Sequence, residues 1–368
     1  MKHPLLITAF LALAFHTSAQ EEQKPLVIEG YAELYYGYDF NTPGDNNRPG
    51  FVVNHNRHNE VNLNLAMLRA IYNKDRVRAN IGVMAGTYAN ANLVGEPGVL
   101  KNIYEANAGF RLHKKRELWV DAGIFPSHIG QETVMGMDNG TLTRSMIAEG
   151  SPYYEAGVRL SYTSLNEKFY IALLHLNGWQ RIQRSHGNST PAGGLQITRR
   201  PNKNVIFNLS TFVGNDFPDT MKRMRYFIDM YTTLKFARKF EFTATIDLGM
   251  QETFFSSSPY KYDEWLGTSL VLRYLPTQRT AWVLREERFY DPYSVIFTPD
   301  AATPGPGFNV WAISLGHDRW LTNNLLWRIE GKLYVSEDPV FQRGNALYND
   351  NYLLTTSLAV RFNNRKNH

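Results

Sequence analysis

Apolar and polar residues alternate with a period of two along much of this chain. In the first such segment the apolar set is Ile28, Gly30, Ala32, Leu34, Tyr36 and Tyr38, with polar or amphipathic residues between them. A period of two places the two sets on opposite faces of a β-strand. The same alternation recurs at 76–85, 240–251, 327–335 and 354–362. The pattern predicts a series of strands that each have one apolar and one polar face.

The connections between these strands fall into two length classes. The short polar connections are 73–75, 113–117, 164–167, 201–204, 237–239 and 275–278, with a slightly longer one at 317–324. The long connections are 41–59 (L1), 90–102, 126–152 (L3), 177–193, 214–222, 253–263, 290–307 and 336–351 (L8). Long and short connections alternate without exception, which is typical of a transmembrane β-barrel with tight periplasmic turns and long outer loops. A secreted β-sandwich or propeller gives no reason for this sorting.

Seven short turns and eight long loops join sixteen strands. We therefore predict an all-β fold, a transmembrane up-and-down antiparallel β-barrel of about 16 strands with short periplasmic turns and long extracellular loops. The even number places both chain ends on the periplasmic side. The last strand ends at Phe362, an aromatic position common in such barrels, although residues 363–368 follow it.

The N-terminus has the pattern of a secretory signal. Lys2 precedes an apolar run at 5–15, and the small residues Thr17, Ser18 and Ala19 precede Gln20. This run is too short to span a bilayer, and a buried N-terminal helix is the alternative. We expect residues 1–19 to be a signal peptide and residues 20–368 to form a single outer-membrane barrel domain. The chain has no cysteine, so disulfides do not hold the exported fold.

The charge and the motifs exclude several kinds of partner. The formal net charge is +5 and falls to +4 when Lys2 is removed, which does not indicate nucleic acid binding. We expect contact with outer-membrane lipid and small hydrophilic solutes, no cofactor and no metal. His55 and His58 favour a solvated loop over a metal site, while calcium held between loops at Asp291, Asp300 and Asp338 is an alternative.

A catalytic role is also not expected. Ser127 and His128 are neighbours in the sequence, whereas a nucleophile and its base must face each other. A polar loop after Pro126 is the simpler interpretation of this pair. We therefore predict that the chain is not an enzyme and has no catalytic residues. An outer-membrane hydrolase, and a structural or adhesive barrel with a closed lumen, are the alternatives to a channel.

The polar face of the strands supplies the candidate pore-lining residues. They are Glu29, Glu33, Arg76, Arg78, Arg159, Asp229, Asp247, Arg328, Glu330 and Lys332. These charges either orient water and ions at a constriction or pair with one another to keep a polar lumen soluble. Acids and bases on this face are close to equal in number, so we expect weak charge selectivity with at most a slight anion preference.

L3 is the longest loop and the candidate constriction. In general porins the corresponding loop folds inward, and by that analogy we expect L3 to enter the lumen. Its charged members would be Glu132, Asp138, Arg144 and Glu149. The alternative is a loop that only covers the outer mouth of the barrel. Trimers are common among sixteen-stranded porins, so the same analogy favours a homo-trimer.

Three features do not fit a simple alternation. Arg69 falls on the apolar face that begins at Val61, and residues 169–176 are apolar on both faces. The run 285–288 places four charged residues in one strand, which cannot all face water. Three aromatic residues near short turns are expected in the aromatic girdle of the barrel, namely Trp119, Tyr274 and Trp282.

Several motifs resemble a known family. The chain has AGIFPSHIG at 122–130, TLTRS at 141–145, SPYYEAG at 151–157, NGWQ at 177–180 and GYAELYY at 30–36. These stretches resemble the β-barrel porin-2 family of outer-membrane proteins, which is typical of Bacteroidota-type bacteria. The resemblance covers nearly the whole mature chain and is most specific over 122–180. It implies a porin, and it carries no established catalytic or ligand residues to transfer.

Overall fold

Sixteen strands close into a single antiparallel barrel in a computed structural model that describes residues 25–253, 261–298 and 307–364. Each barrel strand pairs with its neighbours along the chain, and the first strand pairs with the last to close the sheet. The barrel strands are β1 (Leu26–Asp39), β2 (Glu60–Lys74), β3 (Val77–Ala85), β4 (Ile103–Arg111), β5 (Glu117–Pro126), β6 (Tyr154–Thr163), β7 (Phe169–Leu176), β8 (Ala192–Asn202), β9 (Val205–Asn215), β10 (Met224–Phe236), β11 (Phe240–Glu252), β12 (Tyr262–Thr277), β13 (Thr280–Asp291), β14 (Phe308–Trp320), β15 (Leu325–Ser336) and β18 (Asp350–Asn363).

The remaining regular elements are short and lie in the long loops. They are α1 (Thr87–Asn92), α2 (Met146–Glu149), three short 3-10 helices (Gly98–Asn102, Gly136–Asp138 and Asp219–Met221), and a hairpin of β16 (Phe341–Arg343) and β17 (Ala346–Tyr348) within L8. None of the helices in the described part of the chain is long and apolar enough to cross a bilayer. The predicted fold class, a sixteen-stranded all-β barrel, is confirmed. The expected signal peptide at 1–19 lies outside the described residues.

The alternation of the sequence becomes the two faces of the barrel wall. In β1 the side chains of Ile28 and Leu34 are exposed on the outer face, whereas Tyr31, Glu33 and Tyr35 are buried on the inner face. A lipid-facing surface is apolar because the hydrocarbon offers no partner for a polar group. The predicted apolar face is therefore the outer one.

A β-bulge in β2 explains the misfit of Arg69. Glu33 of β1 pairs with Leu65, but the next residue, Leu34, pairs with Leu63, so Asn64 is an extra residue. One inserted residue moves every later side chain of the strand to the opposite face of the sheet. Arg69 therefore points inward, where its Nη2 lies 2.9 Å from Glu29 Oε1. The expectation that Arg69 lies on the apolar face is wrong, because a strict period of two does not include a bulge.

The charged run of β13 divides between the two faces. Arg285 and Glu287 point inward and are fully buried, and Arg285 Nε lies 2.7 Å from Glu287 Oε1. Their neighbours Glu286 and Arg288 alternate with them and face outward, with the exposed Leu284 and Tyr290 on the same outer face. The strand thus carries two opposite charges inside the barrel and two outside it.

The strand that is apolar on both faces has an apolar partner inside the barrel. Ala172 and Leu174 of β7 point inward and are buried, whereas Leu173 is exposed on the outer face. The inward pair belongs to the same buried cluster as Ile129 and Ile147 of L3. Packing against L3 makes the inner face of β7 apolar, which the sequence of the strand alone does not reveal.

The three aromatic residues expected in the girdle do not share one position. Trp282 and Tyr274 are exposed on the outer face beside the turn between β12 and β13. Trp119 points inward and is buried, and the Arg78 guanidinium lies 4.3 Å from the centre of its ring. The expected position of Trp119 is wrong because the residue stacks on a lumen arginine instead of facing lipid.

Side chains from the outer loops fill part of the interior. Phe51 of L1 packs on Phe308 and Tyr334 of the wall, with ring centroids 5.0 and 5.3 Å apart. Phe341 of the L8 hairpin and Phe297 join the same buried cluster. Burial of large apolar side chains is a main source of stability, so this cluster fixes L1 and L8 against the wall.

Candidate pore constriction

L3 is an ordered loop with its own internal contacts. The backbone N–H of Ser127 donates to Tyr153 O at 3.0 Å and closes the base of the loop. Ser145 caps the short helix α2, because its Oγ accepts a hydrogen bond from Ala148 N at 3.3 Å. Ser145 Oγ in turn donates to Glu132 Oε1 at 2.5 Å. These hydrogen bonds connect the first and second halves of L3 to each other, in addition to the contacts that L3 makes with the barrel wall.

One side of L3 is fixed to β13 and β15 by buried charges. Arg285 Nη2 lies 2.8 Å from Glu330 Oε1, and Arg285 Nη1 donates to Thr143 O at 2.7 Å. Glu330 Oε2 accepts from the backbone N–H groups of Leu142 and Thr143, each at 3.0 Å. Charge-assisted hydrogen bonds in a buried site are among the stronger polar contacts in proteins. The tip of the loop is therefore bound to the barrel wall.

Two further wall cations hold the carbonyl groups of L3. Arg328 Nη1 donates to Gly136 O at 2.9 Å and to Thr141 O at 2.8 Å, and Asp318 orients the guanidinium from 2.8 Å. Lys332 Nζ donates to Arg144 O at 3.2 Å and lies 2.7 Å from Glu287 Oε1. These cations satisfy loop carbonyls that the irregular backbone would otherwise leave unpaired inside the barrel.

The opposite side of L3 contacts β6, β9 and β10. Gly130 N donates to Asp229 Oδ1 at 3.2 Å. His128 lies 2.9 Å from Glu155 through Nδ1 and 2.8 Å from Thr211 O through Nε2. L3 thus has partners on strands that face each other across the lumen. The described contacts place the loop inside the barrel.

An acidic pocket lies beside this crossing. Asp229 and Asp247 are direct neighbours across the β10–β11 pair, and both are buried on the inner face. Glu132 of L3 lines the same small pocket together with these two aspartates. No arginine or lysine of the described residues forms an ion pair with any of these three carboxylates.

L1 and L3 meet at a buried glutamate. Asn54 N donates to Glu149 Oε1 at 3.1 Å, and Asn54 Nδ2 lies 3.3 Å from both oxygens of that carboxyl group. Burial raises the pKa of Glu149 from its ordinary value of 4.5 to about 7, although the Asn54 hydrogen bonds and the positive charges of Arg144 and Lys332 oppose the rise. The contact between the two loops therefore contains a group that titrates near neutral pH.

Comparison with known proteins agrees with this architecture. Residues 25–362 match the family described as "Putative beta-barrel porin-2, OmpL-like". The chain belongs to this family. No curated protein sequence matches the chain. The resemblance seen in the sequence is thus confirmed.

Solved structures of outer-membrane proteins share the fold at low sequence identity. Salmonella typhi OmpF in complex with daunomycin is 9% identical, with a TM-score of 0.61 over 92% of this chain and 97% of that one. The anion-selective porin of Comamonas acidovorans is 8% identical, with a TM-score of 0.58 over 92% and 99%. Outer-membrane expressed OmpT of Vibrio cholerae is 8% identical, with a TM-score of 0.58 over 93% and 99%. The chain is an outer-membrane β-barrel porin.

The predicted pore-lining residues of this porin lie at different depths of burial. Arg328, Glu330 and Lys332 are covered by L3, and Asp229 and Asp247 lie beside it. Glu33 is buried against L1, where its Oε1 is 3.4 Å from His55 Nε2. Glu29 contacts Arg69, and Arg76 donates to Arg111 O at 2.9 Å beside the β2–β3 turn.

Arg78 and Arg159 converge on one acid of the inner wall. Arg78 Nε donates to Asp121 Oδ1 at 2.6 Å, and Arg159 Nη2 lies 3.4 Å from Asp121 Oδ2. The side chains of Arg78 and Arg159 are 30% and 22% exposed, whereas that of Asp121 is 1% exposed. At this position the lumen presents guanidinium groups to water and shields the carboxylate behind them.

The four predicted constriction charges are all held by L3 or its partners. Glu132 accepts a hydrogen bond from Ser145 Oγ, and Asp138 Oδ2 accepts one from Arg361 Nη2 at 2.7 Å. Arg144 is buried and donates to Val134 O at 2.8 Å, and Glu149 meets Asn54 as described. The structure brings these residues into the lumen region, and Asp138, which is the one that forms an ion pair with a described residue, is also the one whose side chain is exposed.

Sequence reasoning missed several residues of this site. The charged run at 285–288 stood out in the sequence, but Arg285 and Glu287 share their face with Ala281, Val283 and Phe289, so the sequence did not show that this face points into the lumen. His55 and His58 are buried, and the expectation of a solvated loop around them is wrong. His55 N donates to Asn64 Oδ1 at 3.0 Å, and Asn64 is the residue inserted by the β2 bulge.

Asp291 has a structural role in its loop. Its carboxylate accepts hydrogen bonds from three successive backbone N–H groups, those of Val295, Ile296 and Phe297, at 2.8, 2.7 and 3.0 Å. The oxygens are therefore engaged by the backbone. Among the described residues no group of three or more His, Asp or Glu side chains is arranged to hold a metal ion.

Proposed function

We propose that this porin is a passive diffusion channel for small hydrophilic solutes, narrowed by L3 and weakly selective for charge. The observation that carries the proposal is the crossing of L3 through the barrel. L3 begins and ends on the neighbouring strands β5 and β6, where His128 contacts Glu155, and Arg285 and Glu330 hold its tip on the far wall, at β13 and β15. A loop fixed on both walls divides the lumen and sets the size of the remaining path.

The solute path follows the inner-wall side chains that keep exposed surface. Arg78 and Arg159 of the β3–β6 wall, and Arg361 beside Asp138, are each partly exposed. By contrast, Arg285, Glu330 and Lys332 are sealed under L3. The proposed pore-lining residues in contact with solutes are therefore those away from the β13–β15 wall.

Weak charge selectivity is supported by the pairing of the lumen charges. Arg69 contacts Glu29 and Glu105, while Asp121 contacts two arginines. Paired charges in a water-filled lumen are further screened within about 8 to 10 Å at physiological salt. The exposed guanidinium groups at Asp121 support a slight preference for anions.

Conductance in planar bilayers tests this function directly. The purified full-length barrel should produce discrete, ohmic conductance steps, and small uncharged sugars should enter reconstituted vesicles at rates that fall with size. A folded barrel that gives no conductance would overturn the channel. It would favour the second candidate, a surface barrel with a closed lumen, which the buried cluster around Phe51, Phe297 and Phe308 supports.

We also propose that the barrel is not an enzyme. Ser127 Oγ accepts from Ile129 N at 3.1 Å, whereas both ring nitrogens of His128 are engaged by Glu155 and Thr211 O. Burial opposes protonation of His128, but the Glu155 charge and these hydrogen bonds raise its pKa. A histidine held by other acceptors does not activate Ser127. Hydrolysis of lipids or peptides that is lost in His128→Ala would contradict this assignment.

Export and assembly complete the proposal. We infer that residues 1–19 are removed and that the mature barrel, residues 20–368, lies in the outer membrane. N-terminal sequencing should begin near Gln20, and a retained Met1 would contradict it. We further propose a homo-trimer, supported by the trimer form of OmpT of Vibrio cholerae, which is 9% identical to this chain with a TM-score of 0.57.

A further inference from the structure

Two charged side chains lie on the lipid face of β13. Glu286 and Arg288 both point outward, on the same face as Trp282, Leu284 and Tyr290. Trp282 and Tyr290 are aromatic residues of the kind that mark the two membrane interfaces. Glu286 is four residues from each of them, so it lies near the middle of the apolar belt.

This position is unusual within the barrel. In the other described strands the outward-facing acids and bases lie within a few residues of a strand end, as do Arg199 in β8, Glu264 in β12 and Arg319 in β14. Charges on the lipid face become more destabilising toward the middle of the bilayer. The pair in β13 therefore needs a compensating contact that charges at the strand ends do not need.

The chain itself supplies little compensation. Arg285 and Glu287 pair with each other inside the barrel, and no ion pair among the described residues includes Glu286 or Arg288. The Arg288 guanidinium lies 4.6 Å from the centre of the Trp311 ring, but its Nε is buried without a hydrogen-bond partner. Glu286 and Arg288 act on each other electrostatically along the strand, but neither has an ion-pair contact among the described residues, so each can still pair with a group outside the barrel.

Two apolar grooves of the outer wall reach the strands next to this pair. One groove extends across β8 to β12 and has its edge at Thr268 and Leu270, which are the cross-strand neighbours of Arg288 and Glu286. Toward β14, a second groove includes Ile313 and Gly331. A Cβ added to Gly331 would meet no atom within 4 Å, so none of the described residues fills that space. Grooves beside an unpaired charge pair form a surface that a second protein can fill.

We propose that the outer face of β13 is the contact surface between copies of this chain, with Glu286 of one copy paired to Arg288 of the next. This inference rests on the proposed homo-trimer. Copies in one membrane share their orientation, and the symmetry axis runs along the membrane normal. A three-fold axis beside β13 therefore gathers three Glu286 carboxylates and three Arg288 guanidinium groups at adjacent depths.

The opposite charges make this face self-complementary. Each copy supplies one acid and one base, so every charge finds a partner around the ring. An ion pair in a medium of low dielectric constant is strongly attractive, and neither group remains unpaired in hydrocarbon. Leu284 and Ile313, which both line the groove toward β14, can then pack against the neighbouring copy.

Cysteine cross-linking in the outer membrane tests the surface. The natural chain has no cysteine, so one introduced thiol reports on one position. Leu284→Cys lies beside Glu286, and Val158→Cys is a matched control, an exposed outward residue of β6 that is seven strands away. With a short thiol cross-linker, Leu284→Cys should give at least fivefold more covalent dimer than Val158→Cys. Equal yields, or a product containing a different protein, would overturn the proposal.

Charge exchange tests the pairing itself. In the Leu284→Cys background, Glu286→Arg leaves only bases and Arg288→Glu leaves only acids, so each should reduce the dimer yield at least fivefold. The double exchange Glu286→Arg with Arg288→Glu restores opposite charges and should restore the yield. Similar yields in all four chains would show that the charges do not pair between copies. Gel mobility of the unheated barrel confirms that each variant is folded.

Conductance separates this inference from the proposed function. If cross-linked assemblies form but do not conduct, the channel is wrong and the β13 contact stands. If the barrel conducts but no variant cross-links through Leu284→Cys, the channel stands and the β13 contact is wrong.

Discussion

Arg285 of β13 and Glu330 of β15 form an ion pair at 2.8 Å across the intervening strand β14, and neither side chain is exposed. Thr143 at the tip of L3 completes the pair, because its Oγ1 donates to Glu330 Oε1 at 2.5 Å and accepts from Arg285 Nη2 at 2.8 Å. The position of L3 therefore depends on buried charges in the wall.

Loss of the Glu330 charge should release L3. In Glu330→Gln, Arg285 and the N–H groups of Leu142 and Thr143 lose their carboxylate partner. Removing one member of a buried ion pair costs roughly 3–5 kcal/mol. This cost is larger than the contribution of any single remaining contact of L3. We expect a larger and noisier single-channel conductance. Glu241→Gln is the control, because its partners Lys235 and Arg273 are partly exposed and such pairs contribute only about 0–1 kcal/mol. Equal effects of the two substitutions would contradict this role of Glu330.

Shortening L3 should widen the channel. Removal of residues 133–142 deletes the segment whose carbonyl groups bind Arg328, while both ends of the loop remain. If L3 sets the narrowest part, single-channel conductance should rise severalfold. Trimming the exposed tip of the L8 hairpin at Gly344 is the control and should leave conductance unchanged. Unchanged conductance in a folded L3 deletion would place the constriction elsewhere.

The contact between L1 and L3 should weaken as pH rises. The closed contact holds the pKa of Glu149 at about 7, whereas an open, solvated carboxyl group has its ordinary value of 4.5. The contact between the two loops therefore has its full stability below about pH 4.5. Its stability falls as the pH rises from there through 7. The difference amounts to roughly 3 kcal/mol, since one pKa unit corresponds to about 1.4 kcal/mol.

Single-channel recordings between pH 5 and pH 8 measure this effect. The fraction of time spent in the larger-conductance state should increase toward pH 8 in the natural chain. The groups facing Glu149 are Asn54, Arg144, Lys332, Tyr153 and Tyr334. Glu149→Gln keeps the Asn54 contact without the titration and should show little pH dependence in this range. The same pH profile in both proteins would assign the effect to another group.

The barrel could be predicted because the membrane imposes a simple rule on the sequence. Lipid on one side and a polar interior on the other require a period of two, as in Tyr31–Leu34 of β1 and in β11. Turn lengths then place the strands in order around a closed sheet. These constraints are local, so strand number and orientation follow from the sequence alone.

The interior was less predictable because its contacts come from distant segments. The Asn64 bulge reverses the faces of β2 and moves Arg69 inward, and no single-strand pattern shows an inserted residue. Trp119 is buried by stacking with Arg78, a residue of another strand. Arg285 is recognisable as a lumen residue only once L3 is placed against it. Side chains that meet across the lumen have no short-range signal.

Ion selectivity depends on which lumen charges face water. The acids and bases of the inner face nearly balance in number, but at Asp121 the carboxylate is shielded while Arg78 and Arg159 keep exposed surface. Strong selectivity requires unpaired charge of one sign at the narrowest part. We therefore expect a small reversal potential under a tenfold salt gradient, with the sign of a slight anion preference.

Arg78→Gln with Arg159→Gln should remove that preference or change its sign, because the Asp121 charge then remains without its partners. Asp121→Asn should instead increase the preference for anions, because two cations remain. A reversal potential near the Nernst limit in the natural chain would show that one sign of charge dominates the constriction. The acidic pocket of Glu132, Asp229 and Asp247 would then be the part to neutralise if the channel selected cations.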